Sequence, residues 1–284
     1  MDMAHTVWPI VNSFLLETFI LFLLSAGFFL VHRTAKFLNI AHGDYITLGA
    51  YLIYTLTSGL GWNIWIALLI SMVAIGLFAI LIDQVSYKYL RGAHLALLLC
   101  SIGVALVVRY GIFMTWGGRF KKLTVTLPRV EIFGIVISGS LILALTFGFF
   151  IIAIVYYILN YTGLGGTVRA VADNPKLAES YGINTEKTLK FVWFLSGCSA
   201  ALAGVVLAFY RPLTFEMGFS WILLIIAVSI LAGEGINFPL LLGACAIISG
   251  GMELGLFFMP EAYRIGIGFA MLVIAILVRG GLKR

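Results

Sequence analysis

Ionisable and strongly polar side chains are scarce in this 284-residue chain, and several of them stand where the surrounding sequence is apolar. Asn39, His42 and Asp44 fall close together in the stretch FLNIAHGDYITLGAYL, while Glu17, Arg109 and Glu253 each interrupt a long hydrophobic run. Such groups are costly in lipid and tend to face a bundle interior, where they pair with one another or line a polar path. Their chemistry would be ion pairing, proton relay or transient polar contact. A break around 39–44, with Asp44 capping a helix that begins near Tyr45, would put unwound backbone where it lines a cavity or is buried in protein. The plainer alternative makes Asn39 and Asp44 caps at the membrane interface, lets His42 pack locally, and has Glu17 and Arg109 snorkel. Enzyme patterns are missing: the sequence has no HExxH and no GxSxG, and no GxxxxGK[ST] phosphate cradle. His5, His32 and His94 lack metal-ligand spacing, and Cys100, Cys198 and Cys245 stand far apart as small apolar residues.

The elements that must position these groups are dictated by composition. With 62% hydrophobic and 11% charged residues, against about 45–50% and about 25% in soluble domains, and a mean hydropathy of +1.10, the exterior must face lipid. The net charge of +6 is spread as short clusters between apolar runs, a pattern of membrane topology rather than nucleic-acid binding. Runs long enough to span occur at 10–31, 62–82, 93–116, 132–160, 189–210, 217–236 and 240–260; two shorter ones, 45–58 and 265–278, read as a re-entrant or broken helix and as a span completed by its flanks. The expectation is an all-α, polytopic membrane protein of about eight to nine transmembrane or re-entrant helices, forming one transmembrane unit over 1–284. If the 161–190 connection is cytoplasmic, alternation puts Arg33, Lys36, Lys88, Arg91, Arg169, Lys176, Lys187, Lys190, Arg279, Lys283 and Arg284 inside, against Arg119, Lys121, Lys122, Arg129, Arg211 and Arg264 outside. Small residues recur in helical register at Ser196, Ala200, Gly204 and Ala208, and Gly251 with Gly255 makes a GxxxG, as close helix packing in lipid requires.

The 161–190 connection is the longest polar stretch and carries its own helix punctuation. Asn174 suits the N-cap, Pro175 the first helical position and Gly182 the left-handed residue past the end, which predicts a helix over Pro175–Tyr181. Leu177, Ala178 and Tyr181 share one face of it. So short a helix needs a surface to dock against: the membrane interface, its own bundle or a soluble partner.

The stretch 37–52 resembles the N-F-A-H-G-x-x-x-x-L-G-A-Y signature of the membrane subunits of branched-chain amino-acid ABC importers, of the smaller, LivH-like type. RAVADNPKLAESYGIN, Arg169–Asn184, is similar to the loop by which such permeases engage their ATPases, and LAGEGINFPLLLGACAIISGG and the tail VRGGLKR resemble the family's later segments. The tail departs from the pattern in having Gly280 rather than proline after Arg279. A Gly-x-Asp-Leu-Ser-x-Gly element typical of related sugar permeases is absent, which favours the amino-acid or amide branch. The resemblance implies a prokaryotic inner-membrane permease for branched-chain amino acids, related amino acids or urea. It also implies a second, LivM-like permease subunit, two cytoplasmic ATPase subunits that use the ATP, and an extracytoplasmic substrate-binding protein, with no cofactor held by this chain. In that arrangement Arg169, Asn174, Pro175, Glu179 and Gly182 form the ATPase-coupling element, and Asn39, His42, Asp44 and Glu253 contribute to the translocation path. An ion-coupled secondary transporter using Glu17 and Glu253, or a passive channel for small amides, is the alternative.

Overall fold

The structure, a computed structural model, describes residues 3–123, 130–132, 135–233, 235–256, 258–260 and 263–281. Arg129, Lys283 and Arg284 of the basic clusters lie outside the described residues.

Helices dominate, as the apolar runs demand. They are α1 (Met3–Ala35), α2 (His42–Tyr54, continued by a π-helical turn Thr55–Gly59), α3 (Ile64–Val85), α4 (His94–Trp116), α5 (Gly139–Tyr161), α6 (Gly163–Asp173), α7 (Pro175–Ser180), α8 (Thr185–Tyr210), α9 (Phe219–Leu231), α10 (Phe238–Gly255) and α11 (Arg264–Gly281). Within the described residues, α1 from Trp8 onward, α3, α4, α5, α8 and α10 are long and apolar enough to cross a membrane. The most apolar stretches of α1 and α8 are 89% and 83% buried and form the centre, whereas those of α3, α4 and α5 are a third buried or less and turn their other faces outward.

Two expected spans are corrected. The run 132–160 does not start as a helix: Val130–Ile132 (β1) pairs antiparallel with Ile135–Ile137 (β2), and α5 begins only at Gly139, where the Ser138 hydroxyl accepts from the Leu141 amide. The β-branched residues at both ends of this hairpin favour the extended form. The run 217–236 supplies only the 13 residues of α9: Met217 and Gly218 precede the helix, closing a non-helical segment 211–218 that enters the bundle, and the helix ends at Leu231, two residues before Gly233 with φ of 85°. The short run 45–58 belongs to a helix that starts earlier, at His42, and ends at Gly59.

Small residues let these helices touch backbone to backbone. Gly204 of α8 lies against the Ile46 carbonyl of α2, Gly49 of α2 against Ala201, and Gly197 of α8 against the Ile75 carbonyl of α3. Ser196, Ala200 and Ala208 are all buried on the same helix. Gly251 and Gly255 of α10 receive Met271 and Ile267 of α11. Both stripes therefore do what their spacing predicts.

Contacts between connections define two faces. On one, Lys36 Nζ donates to the Asp173 carbonyl (3.0 Å), Lys88 pairs with Glu186 (2.7 Å) and Arg91 with Asp83 (2.7 Å). On the other, Lys121 and Leu213 exchange backbone hydrogen bonds of 3.2 and 2.8 Å. Arg33, Lys36, Lys88, Arg91, Arg169, Lys176, Lys187 and Lys190 gather at the first face, which carries α6 and α7, while Arg119, Lys121, Lys122 and Arg211 belong to the second.

Gly204→Val places methyl groups on the Ile46 carbonyl and is expected to lower stability by at least about 1–3 kcal/mol. Thermal loss of monodisperse protein in detergent measures this, with Gly103→Ala, whose Cβ meets nothing within 4 Å, as the unaffected control.

Candidate functional site

The chain leaves α1 at Lys36, whose φ of 57° ends the helix, and turns back into the bundle as a short non-helical segment, 36–41. Ser101 of α4 serves this segment on both sides: its hydroxyl accepts from the Ile40 amide (3.2 Å) and lies 3.4 Å from the Leu38 carbonyl. Non-helical backbone at membrane depth is thus satisfied by protein, as it must be. His42, the first residue of α2, is level with Leu24 and Gly27 of α1, about 12–16 Å up that helix from its end at about 1.5 Å per residue. From the opposite face, residues 211–218 descend to the same level. Gly218 there meets Gly43 so closely that a Cβ on Gly43 would stand 2.8 Å from the Gly218 carbonyl oxygen. The Gly218 amide donates to Thr47 Oγ1 (3.0 Å). Two short helices, α2 and α9, therefore start side by side in mid-bundle, their N-termini adjacent and their axes running to opposite faces.

Asp44 lies in the first turn of α2, where the helix dipole favours a carboxylate. It does not cap the helix; the residue ahead of α2, Ala41, makes no side-chain cap bond. The Asp44 carboxylate instead receives both arms of Arg109 from α4, Nε to Oδ1 at 2.9 Å and Nη2 to Oδ2 at 3.0 Å. The pair is buried, with side-chain exposures of 0% and 8%, and the guanidinium stacks 3.6 Å above the ring of Phe219, the first residue of α9. One ion pair thus joins α2, α4 and α9. Fork geometry and a second, aromatic contact are what allow so buried a pair to offset its desolvation.

The other sequence candidates diverge from Asp44. Asn39 caps nothing either; its Oδ1 accepts from the hydroxyl of buried Tyr87 (3.2 Å), whose phenol burial holds well above the ordinary range, so it stays a donor. His42 packs locally, its Nε2 donating to the Leu24 carbonyl (3.1 Å) and its ring lying edge-on to Phe28. Glu17, also buried, accepts from the Tyr210 hydroxyl (2.9 Å) and faces Arg211 at 3.8 Å, so it sits beneath the 211–218 segment rather than at an interface. Glu253 is not brought to this group. It lies on α10 one turn beyond Ser249, which pairs with Thr18 of α1, about 10–15 Å further along α1 than Leu24. Sequence reasoning missed Phe219, Gly218 and Thr47; the signal was the pair of glycines, 43 and 218, each beginning a helix too short to span.

At the face bearing α6 and α7 the predicted punctuation is present. Asn174 Oδ1 accepts from the Leu177 amide (3.1 Å), Pro175 opens α7, and Gly182 has φ of 80°. Glu179 accepts from the Thr185 hydroxyl, tying α7 to the start of α8, and Arg169 Nη1 donates to Asn160 at 3.4 Å. The shared apolar face is a correction. Ala178 alone is buried, while Leu177 is 54% and Tyr181 79% exposed. The connection also holds an unexpected helix, α6, which buries Val168 and Val171 one turn apart. Behind α7 opens a cleft of about 360 Å³ lined by Lys36, Asp83, Arg91, Lys176 and Glu179 among others.

A family model described as the branched-chain amino acid transport system / permease component matches residues 10–276. The chain belongs to this family. A probable branched-chain amino acid transport permease protein LivH of Methanocaldococcus jannaschii is 30% identical over 225 residues, which is 75% of this chain and 70% of the relative. The high-affinity branched-chain amino acid transport system permease protein LivH of Escherichia coli K12 is 24% identical over 90% of this chain and 88% of its own length. Among solved structures, PsaBC from Streptococcus pneumoniae in complex with a Fab shares the fold, with a TM-score of 0.53 at 12% identity over 93% of this chain and 90% of that one. The permease is a multi-pass membrane protein and one component of a transport system.

Removing the α7 cap by Asn174→Ala is expected to cost about 1 kcal/mol locally, read as roughly fivefold faster hydrogen exchange at the Leu177 amide. Arg109→Leu strands the Asp44 carboxylate without its cation and is expected to cost about 3–5 kcal/mol, measured as loss of folded, detergent-extractable protein.

Proposed function

We propose that this permease is one of two membrane subunits of an ATP-driven importer that carries branched-chain amino acids across the cytoplasmic membrane of a prokaryote. Its partners would be a LivM-like second permease, two ATPase subunits that bind and hydrolyse the ATP, and an extracytoplasmic binding protein that delivers substrate. The basic face bearing α6 and α7 is then cytoplasmic. The observation that carries the reading is α7 itself: a capped, rigid helix whose Leu177 and Tyr181 side chains are exposed away from their own bundle. Apolar groups on an otherwise polar face suit a groove on a soluble partner.

Asn174, Pro175, Glu179 and Gly182 keep α7 in shape rather than supply its contact surface, and Arg169, on α6, holds Asn160 of α5. ATPase closure would move α7 as a rigid body. The Glu179–Thr185 bond would pass that motion to α8, and the Lys36–Asp173 bond to the segment leading into α2. Substrate would cross beside the start of α2, past Asp44, with Asn39 and His42 holding the re-entrant segment in place.

In proteoliposomes of the assembled complex, Leu177→Asp and Glu179→Lys are expected to lower ATP hydrolysis stimulated by loaded binding protein at least tenfold. Unchanged stimulation in both would refute the coupling role. Uptake of leucine, isoleucine and valine by the wild-type complex, compared with urea, tests the substrate.

A further inference from the structure

We infer that the Asp44–Arg109 pair is the transit site for the zwitterionic head of an amino acid, which enters by exchange with the pair. The substrate α-carboxylate takes the place of Asp44 on the Arg109 fork, and its α-ammonium takes the place of Arg109 at the Asp44 carboxylate. This rests on the importer reading above and assigns the residues that recognise its substrate.

Four observations carry the assignment. The fork is already made: Nε and Nη2 of Arg109 hold two carboxylate oxygens at 2.9 and 3.0 Å, the arrangement an α-carboxylate would adopt. Both charges are already out of water, so an incoming neutral zwitterion exchanges one buried pair for two without adding net charge to the bundle. The N-termini of α2 and α9 meet beside the pair, and converging helix N-termini favour an anion there. Finally, the site has an edge. Phe219, whose ring covers the guanidinium, is 40% exposed, Ser220 beside it is exposed, and Phe113 one turn along α4 packs on Phe215 at 5.1 Å between ring centres. A branched aliphatic side chain fits such an aromatic ledge, while the charged head reaches the pair behind it.

Competition from the internal pair keeps the site weak. A transit site must hold its cargo firmly enough for entry and loosely enough for departure. Arg109 and Asp44, each serving as the other's stand-in ligand, meet both requirements.

The test removes both charges and leaves polar amides in their place. In the assembled complex, the Asp44→Asn/Arg109→Gln double variant is expected to lower the leucine taken up per ATP hydrolysed at least tenfold. A ratio within twofold of wild type would overturn the inference and leave the pair as a staple between α2 and α4. Should the double variant fail to assemble, Ser220→Cys in the otherwise intact chain gives a second measurement. Its labelling by a small maleimide, read on the peptide containing position 220, is expected to slow at least threefold during leucine turnover; an unchanged rate overturns the inference. A wild-type complex that takes up urea but no branched-chain amino acid would instead refute the substrate reading itself, an outcome visible before any variant is compared.

Discussion

A polypeptide that leaves the helix inside a membrane must find its hydrogen bonds in protein, because lipid offers none. Two segments here do so, 36–41 from one face and 211–218 from the other, and the rest of the bundle is arranged around meeting their demands. Ser101 supplies an acceptor to the first, Thr47 an acceptor to the second, and the Lys121–Leu213 backbone pair anchors the second where it enters. The central pair α1 and α8 then has to be almost wholly enclosed, since it walls these segments off from lipid. That enclosure sets the outer position of α3, α4 and α5, whose remaining surface is left to lipid or to a neighbouring subunit.

Charge follows from the same constraint. Converging helix starts leave unpaired amides and a positive potential in mid-bundle, and Asp44 stands in the first turn of α2 to meet them. A lone carboxylate there would be ruinous, so Arg109 must come from α4, and Phe219 must cover the guanidinium that results. Gly43 and Gly218 are required for a simpler reason: any side chain at either would push the two helix starts apart and leave the ion pair without its lid. Backbone satisfaction, charge pairing and close approach are therefore one problem with one solution, spread over three helices.

Much of this was legible in the sequence. Most of the apolar runs, the small-residue stripes of α8 and α10 and the capped start of the helix at Pro175 follow from local rules that tertiary context did not overturn. Where the reading failed, the cause was range. Asp44 looked like a cap because capping is judged from neighbours along the chain, whereas its partner lies 65 residues away. The run 217–236 read as a span because hydropathy does not register that Met217 and Gly218 form a turn or that the helix stops at Leu231. Strand residues 132 and 135–137 were absorbed into a span for the same reason. Periodicity puts Leu177, Ala178 and Tyr181 on one face, yet only Ala178 is buried, because periodicity does not say which side of so short a helix meets the bundle.

The brevity of α9 bears on how the protein is made. Thirteen residues span about 20 Å at about 1.5 Å per residue, well short of a hydrocarbon core of about 30 Å. The insertion machinery, which hands segments to lipid one at a time, has no adequate segment here to hand over. Helix α9 packs on α1 and α2, made before it, and on α10 and α11, made after it. A helix too short for lipid is thus kept in place by protein alone, from both ends of the chain.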